Sequence, residues 1–274
     1  MKFSFVSLVT KLTLATSVAG ALVGCDEPTY PAPSPIETAS AAQALYQIVN
    51  AAPGGNDAQL LSIDNVAPTS AFAPIPYLET ATYANLPAGQ RLLLFSVTGN
   101  LNSQRVAVRP TFSTNSNTTV FLTDSPTRAA AGTDPGGVRT VVLADNLTAP
   151  TVATRAKVRF VNLSSSGTYG IFNTTTVPAG VSLFSAIPTR RFRDITFTTP
   201  AVPPSTTATI TNFANFTEVP EGLYTLDARS AATTALTGTR LPVTLAAGKI
   251  YTLYVRGIAG NTTTPLGISV VTHN

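Results

Sequence analysis

Residues 156–162, with the sequence AKVRFVN, and their counterpart at residues 44–50, with the sequence ALYQIVN, decide the fold. When the two final asparagines are aligned, apolar residues alternate with long polar ones in both stretches, and Gln47 matches Arg159. A period of two is typical of a β-strand with one buried face. The sequence therefore predicts two such strands, each followed by a turn rich in Ser, Pro or Gly.

Three further pairs of segments recur in the same order along the chain. They are residues 83–89 (YANLPAG) with 216–222 (FTEVPEG), 118–123 (TTVFLT) with 250–256 (IYTLYVR), and 138–143 (VRTVVL) with 268–272 (ISVVT). The first pair ends in Pro, a variable residue and Gly, and an apolar strand follows it in both places. Four matches in one order predict a tandem duplication.

Turn residues divide each copy into about seven short strands, without helical periodicity of useful length. Such spacing is typical of a β-sandwich. We therefore expect an all-β fold with two tandem immunoglobulin- or transthyretin-like β-sandwich domains, at residues 41–147 and 154–274. A short polar linker near residues 146–154 joins them. The last strand of the second copy is expected to be essential, whereas deletion of His273 and Asn274 should be nearly silent.

Composition excludes several classes of function. The 274 residues include one Cys and one His, His273. These numbers exclude an internal disulfide, a thiolate metal cluster, a multi-His zinc site and a Ser-His triad. We expect no enzymatic activity, no metal and no cofactor. The net charge of +4 comes without basic runs, so no nucleic-acid partner is expected.

The first residues predict export. Lys2 and Lys11 precede residues 12–22, an uncharged stretch that is typical of a secretory signal and too short to span a bilayer. We therefore assign residues 1–24 to a signal peptide.

The end of this stretch, Leu22, Val23, Gly24 and Cys25, resembles the lipobox of bacterial lipoproteins. The resemblance implies that Cys25 becomes the first mature residue and is acylated, so the membrane is a partner through a lipid anchor. Two or three acyl chains hold a protein stably. The alternative is an ordinary signal peptide in which Cys25 is incidental.

Residues 25–40 contain four prolines and predict an extended tether. Asp26 and Glu27 follow Cys25 directly. In enterobacteria an acid at this place resembles an inner-membrane retention signal, whereas in Bacteroidota it resembles a surface-export signal. We expect a lipid-anchored location in the cell envelope, at the periplasmic or surface face of the outer membrane.

Three motifs resemble a bacterial envelope family, the domain of unknown function 4397. They are RFVN at residues 159–162, VPEGLYT at 219–225 and LAAGKIYT at 245–252. The first copy departs from this pattern, since Gln47 replaces the Arg and residues 113–117 replace the AGK turn. The tandem layout resembles lipoproteins of Bacteroidota. The resemblance implies a sandwich in the envelope and brings no catalytic residues.

The basic cluster of Arg190, Arg191 and Arg193 is the candidate binding site. Adjacent guanidinium groups could contact an anion or a glycan, although charges on an exposed strand edge also prevent aggregation. The carboxylates are scattered among turn residues, which leaves a multi-loop calcium site or a catalytic acid pair as weaker alternatives.

These observations favour a non-catalytic envelope lipoprotein that serves as a binding or spacer module, with an envelope protein or glycan as partner. The alternatives are a glycan-binding accessory lipoprotein of a nutrient-uptake system and, less favoured, a hydrolase that uses carboxylates alone.

Overall fold

The computed structural model describes residues 42–54, 57–68, 73–97, 105–175, 180–184, 187–199, 208–230 and 239–274. These residues form twenty β-strands and no helix, so the all-β prediction is confirmed. The chain divides into Met1–Ser40 and Ala41–Asn274, and the second unit contains every described residue. Val, Ile, Thr and aromatic residues fill the long strands, in keeping with their preference for a pleated, half-buried surface.

The first half contains nine strands. They are β1 (Gln43–Ala51), β2 (Ala58–Ile63), β3 (Ala84–Pro87), β4 (Gly89–Gln90), β5 (Leu93–Val97), β6 (Val106–Val108), β7 (Thr111–Phe112), β8 (Asn117–Thr123) and β9 (Arg139–Asp145). One sheet has the order β3-β1-β8-β9, in which β1 and β8 run parallel. A second sheet has the order β2-β5-β6, and β4 pairs with β7.

The second half contains eleven strands. They are β10 (Arg155–Asn162), β11 (Tyr169–Asn173), β12 (Val181–Ser182), β13 (Thr189–Arg190), β14 (Thr196–Thr199), β15 (Thr209–Asn212), β16 (Thr217–Pro220), β17 (Gly222–Arg229), β18 (Leu241–Leu245), β19 (Ile250–Arg256) and β20 (Gly267–Thr272). One sheet has the order β16-β10-β19-β20, with β10 and β19 parallel. The other has the order β12-β11-β17-β18, with β13 also paired to β11, and β14 and β15 form a hairpin.

The segments matched by sequence lie at corresponding places in the two four-stranded sheets. β3 is the antiparallel edge partner of β1, and β16 has the same relation to β10. Both edge strands end at a Pro-x-Gly turn, where Gly89 and Gly222 have φ values of 113° and 149°. An L side chain is strained at such positive φ, so the shared glycine ends the edge strand in each half.

Each half has a core between its two sheets. In the first half Tyr46 and Ile48 of β1 pack with Leu60 and Phe95 of the opposite sheet. In the second half Val158 and Phe160 of β10 pack with residues of β11 and β17, including Ile171 and Leu226. The sandwich-like arrangement is therefore present in both halves.

A third apolar cluster joins the two four-stranded sheets face to face. Its buried members are Val49, Ala51, Phe121, Val141, Leu143, Val161, Leu163, Tyr254 and Val271. We call this contact the central interface. Burial of a Val, Leu or Phe side chain contributes about 1.5–3 kcal/mol, so the interface contributes substantially to stability. The described chain is consequently a stack of four sheet layers.

The central interface corrects one prediction from the strand pattern. We expected the opening strands to bury one face, but both faces of β1 and β10 are buried. Gln47 and Arg159 are 3% and 0% exposed. The physical reason is that the second sheet of the stack covers the face on which the long polar residues lie.

Candidate functional site

The three predicted arginines lie in different surroundings. Arg190 is buried on β13, where it pairs with Tyr169 of β11. Arg191 is exposed, and Arg193 is half-buried in the following turn, with a φ of 62°. The sequence cluster therefore does not form one shared site, and each side chain has to be considered by itself.

Arg190 lies in an aromatic cage. Its guanidinium carbon is 4.8 Å from the ring centre of Phe160, 5.1 Å from that of Phe184 and 3.9 Å from that of Phe213. Nη1 donates a hydrogen bond to the carbonyl oxygen of Phe160, whereas Nε has no partner. Burial lowers the pKa of Arg190 to about 9, so the side chain remains charged at neutral pH. The cage thus holds a desolvated cation with few hydrogen bonds.

A cavity of about 420 Å³ opens beside this cation. Its apolar walls come from Leu183, Phe184, Ile187, Ile210 and Phe213, and its polar groups come from Arg190, Thr211, Asn212, Asn215 and Thr217. Apolar walls with a few directed polar groups are the usual composition of a small-ligand pocket. We call this feature the Arg190 cavity.

The first half has a cavity of about 600 Å³ next to its own edge strand. Residues of β3 and of the turn after β2, Asp64 among them, line it together with Arg91, which follows β4. Arg91 Nη1 is 3.0 Å from Asp64 Oδ2, and the pKa of Asp64 is lowered by hydrogen bonds from Leu92 and Arg91. In this cavity the chain itself supplies the counter-charge of the arginine.

Arg193 belongs to a charged group that both halves contribute. Asp134 lies 2.8 Å from Arg128 and 3.2 Å from Arg139. Asp124 is fully buried, contacts Arg128 and accepts a hydrogen bond of 2.8 Å from Ser165 of the second half. Burial and the nearby charge of Arg139 lower the pKa of Arg193. The hydrogen bond from Ser165 to Asp124 ties the turn after β10 to the loop between β8 and β9, and Arg193 in the turn after β13 lies near the same charges.

A second polar network lies inside the central interface. Arg159 of β10 forms an ion pair with Asp145 of β9, and both side chains are fully buried. The guanidinium also donates to the Ala144 carbonyl oxygen at 2.8 Å and to Thr252 Oγ1 at 2.7 Å. Asp145 in turn accepts from Thr119 Oγ1 at 2.7 Å. The ion pair therefore joins the two halves and has hydrogen-bond partners on both sides.

His273 completes this network. Nε2 lies 2.7 Å from Thr252 Oγ1, and Nδ1 lies 3.0 Å from Gln47 Nε2 and 2.9 Å from the Tyr83 hydroxyl. The Tyr83 hydroxyl also donates to Asp145 Oδ2 at 2.7 Å. Burial lowers the pKa of His273 to about 4, with Arg159 acting in the same direction and Asp145 opposing it. The imidazole is therefore neutral at physiological pH.

This geometry overturns the expectation that the last two residues are dispensable. His273 is 8% exposed, and its backbone amide donates to the Ile250 carbonyl oxygen at 2.9 Å. The Asn274 side chain accepts from the Ile250 amide at 2.9 Å. The position of His273 and Asn274 near the end of the sequence suggested a free tail, but their contacts with Ile250 extend the pairing of β20 with β19.

Corresponding strand positions supply the polar network. Gln47 faces Thr119 across β1 and β8, and Arg159 faces Thr252 across β10 and β19. Asp145 lies two residues after the partner of Thr119, and His273 lies two residues after the partner of Thr252. The sequence signal was the long polar residue in each opening strand, which we interpreted as solvent-facing.

The remaining predicted features fall in two groups. Leu22, Val23, Gly24 and Cys25 lie outside the described residues. Within the described ranges, no group of three His, Cys, Asp or Glu side chains could hold a metal ion. Nor does that part of the chain form a helix long and apolar enough to cross a bilayer.

Comparisons with known proteins match the first half to a family. The family model described as Domain of unknown function (DUF4397) matches residues 44–168, from β1 through β10. No curated protein matches the chain. The solved structure of the Bacillus anthracis TIE protein is 10% identical with a TM-score of 0.23, and the match covers 79% of this chain and 34% of that one. The chain thus spans about a third of the length of that structure.

Proposed function

We propose that this protein is a non-catalytic cell-envelope lipoprotein, in which acylated Cys25 anchors a β-sandwich module that binds or spaces other envelope components. The lipobox-like residues 22–25 and the proline-rich residues 25–40 support the anchor and the tether. We also propose that the protein is placed at the outer membrane. The resemblance to tandem lipoproteins of Bacteroidota supports that placement.

The central interface is the observation that carries the module part of the proposal. A flexible pair of domains would present two independent surfaces, whereas a buried ion pair and an apolar cluster hold these two sandwiches in one arrangement. A rigid body on an extended tether suits a spacer or a binding scaffold. Both ring nitrogens of His273 have protein partners, which supports a structural and not a catalytic role for the one histidine.

We also interpret the two halves as copies of one domain. The common sheet orders β3-β1-β8-β9 and β16-β10-β19-β20 support this interpretation, as do the parallel pairs at their centres. The matched segments 156–162 and 216–222 are farther apart in sequence than 44–50 and 83–89, so the second copy carries an insertion. This insertion corresponds to the segment that carries β13, the β14–β15 hairpin and the Arg190 cavity. Duplication followed by insertion would give one copy a binding function that the other lacks.

The alternative is a glycan-binding accessory lipoprotein of a nutrient-uptake system. The Arg190 cavity favours it, because both apolar side chains and side chains with amides or hydroxyls line it. Sugars present hydroxyl groups at the rim of the ring and an apolar face of C–H groups. The cavity therefore offers both kinds of contact that a sugar requires.

Fractionation of Cys25→Ser tests the anchoring proposal. The wild-type protein should enter the detergent-soluble membrane fraction, and the variant should be soluble or remain as uncleaved precursor. The substitution is closely matched in size, since a hydroxyl oxygen replaces the sulfur atom to which the lipid would be attached and nothing else changes. A Cys25→Ser protein that matures and stays membrane-bound would show that the lipid anchor is wrongly assigned.

A further inference from the structure

Arg190 differs from Arg159 and Arg229, the two other buried arginines of the described residues. Arg229 forms an ion pair with Asp227. Arg159 has a carboxylate, a hydroxyl and a carbonyl as partners. Arg190 has one carbonyl partner, an unpartnered Nε and no ion pair among the described residues. A guanidinium carries five N–H donors, so the protein satisfies only a small part of the capacity of Arg190.

Among the described residues, no carboxylate lines the cavity or forms an ion pair with Arg190. Residues 176–179, 185–186, 200–207 and 231–238, the segments of the second half outside the described ranges, contain no Asp or Glu. The nearest acid in sequence, Asp194, makes no ion pair with Arg190. The aromatic cage stabilises the cation, but ring faces do not accept the in-plane hydrogen bonds that a guanidinium donates.

A buried charge without a partner is unfavourable, and proteins rarely keep one unless it is paired or coordinated. The Arg190 cavity places a ligand-sized space against this cation. An anionic group that enters the cavity would supply the missing counter-charge. A carboxylate suits the planar fork of a guanidinium best, because two parallel N–H···O bonds can form.

The rest of the lining determines what carries the carboxylate. Leu183 and Ile210 provide apolar contact, and Asn212, Asn215 and Thr217 provide hydrogen-bonding groups. These amides and the hydroxyl are exposed, and an alkyl chain would displace water from them without offering hydrogen bonds in its place, which lowers affinity. A sugar ring would satisfy them through its own hydroxyls.

We propose that the Arg190 cavity binds a hexuronic acid residue of an acidic glycan, with its carboxylate on Arg190 and its hydroxyls on the amides of Asn212 and Asn215. This inference rests on the glycan-binding alternative and names the sugar class. The first-half cavity cannot take the same role with Arg91, because Asp64 already neutralises that side chain. Selectivity for an acid is therefore confined to the second half.

Calorimetric titration of the purified full-length chain tests the proposal with two sugars that differ in one group. Methyl glucuronide carries the carboxylate, and methyl glucoside has the same ring without it. The glucuronide should bind at least about 10-fold more tightly. Arg190→Met should weaken glucuronide binding by about 10- to 100-fold, which corresponds to ~1.5–3 kcal/mol for a hydrogen bond to a charged group.

Arg191→Met is the matched control, since Arg191 is exposed and does not line the cavity. Its affinity for the glucuronide should equal that of the wild type. Equal binding of the two sugars, no binding of either, or undiminished binding by Arg190→Met would overturn the proposal. Benzoate binding as tight as the glucuronide would overturn the sugar assignment.

Thermal unfolding without sugar separates a ligand contact from a structural role. If the charge of Arg190 is unpaired until a ligand binds, Arg190→Met should melt at or above the wild-type temperature, because Met fills the cage without a buried charge. A structural cation would make that variant melt well below wild type, which contradicts the proposal.

Arg190→Lys, which keeps the charge and loses the planar fork of the guanidinium, should fold and bind the glucuronide more weakly than wild type. Wild-type-like binding by Arg190→Lys would contradict the bidentate contact. None of these outcomes depends on Cys25, so a failure here is distinguishable from a failure of the anchor.

Discussion

Substitution of Arg159 should destabilise the whole described unit. The side chain is completely buried and forms an ion pair with Asp145, which is also buried. Removal of one partner of such a pair costs about 3–5 kcal/mol, because the remaining charge stays buried and unpaired. The free energy of unfolding of a domain is only ~5–15 kcal/mol, so Arg159→Met should lose a large share of it. Asp145→Asn should have an effect of similar size, since it leaves Arg159 without its counter-charge.

The double variant gives the decisive comparison. The variant that combines Arg159→Met with Asp145→Asn leaves no charge at this ion pair. Its decrease in the free energy of unfolding should therefore be smaller than the sum of the two single decreases by about 2 kcal/mol or more. Urea unfolding followed by circular dichroism and tyrosine fluorescence measures all four proteins. If the decrease in the free energy of unfolding of the double variant equals the sum of the two single decreases to within ~0.5 kcal/mol, the coupling between the two halves is refuted.

A surface pair provides the control for this cycle. Arg240 lies 3.1 Å from Asp227, and its side chain is 64% exposed. Arg240→Met should change the free energy of unfolding by at most about 1 kcal/mol, as is usual for exposed pairs. A larger loss in this variant than in Arg159→Met would contradict the assignment of the ion-pair contribution to burial.

Three other perturbations test the central interface. The pKa of His273 falls from 6.5 to about 4 on folding, so the unfolded chain binds the proton more readily and stability should decline by up to about 3 kcal/mol as the pH falls from 6.5 to 4. His273→Gln should show a shallower decline in pH-dependent urea unfolding, and equal slopes would contradict this assignment. A chain that ends at Thr272 should unfold at lower urea, at a cost of about 1–3 kcal/mol for each buried group left unpaired, whereas a chain that ends at Leu266 also loses β20 and should not fold its second half. Residues 154–274 alone should form β-structure but self-associate in sedimentation, because Val161 and Tyr254 would be exposed, and a strictly monomeric fragment would argue against the interface.

The strand pattern was sufficient to predict much of the fold. The strands expected at 44–50, 156–162, 250–256 and 268–272 are present within a residue or two of the predicted bounds, and the all-β prediction is confirmed. Alternation at period two reports which residues share a face. It does not report whether the second face meets water or another sheet, so the central interface was missed.

The candidate site was predictable only in part. Arg190 was selected from the basic cluster of residues 190–193, but its environment depends on Phe160, Phe184 and Phe213, which come from separate parts of the chain. The place of His273 in the buried polar network was not predicted, because local sequence gives no sign of its tertiary contact with Gln47, about 226 residues away. Contacts at that separation follow from sheet stacking, which composition and periodicity do not encode locally.

The proposed envelope function depends on acylation of Cys25, which the mass of the mature amino-terminal peptide reveals. The protein is purified from membranes of cells that produce the full chain, digested and analysed by mass spectrometry. We expect the first residue to be Cys25 with a thioether-linked diacylglycerol, with or without an acyl group on its amine. An amino terminus at another residue, or a Cys25 with a free thiol in the mature protein, would contradict the lipid anchor.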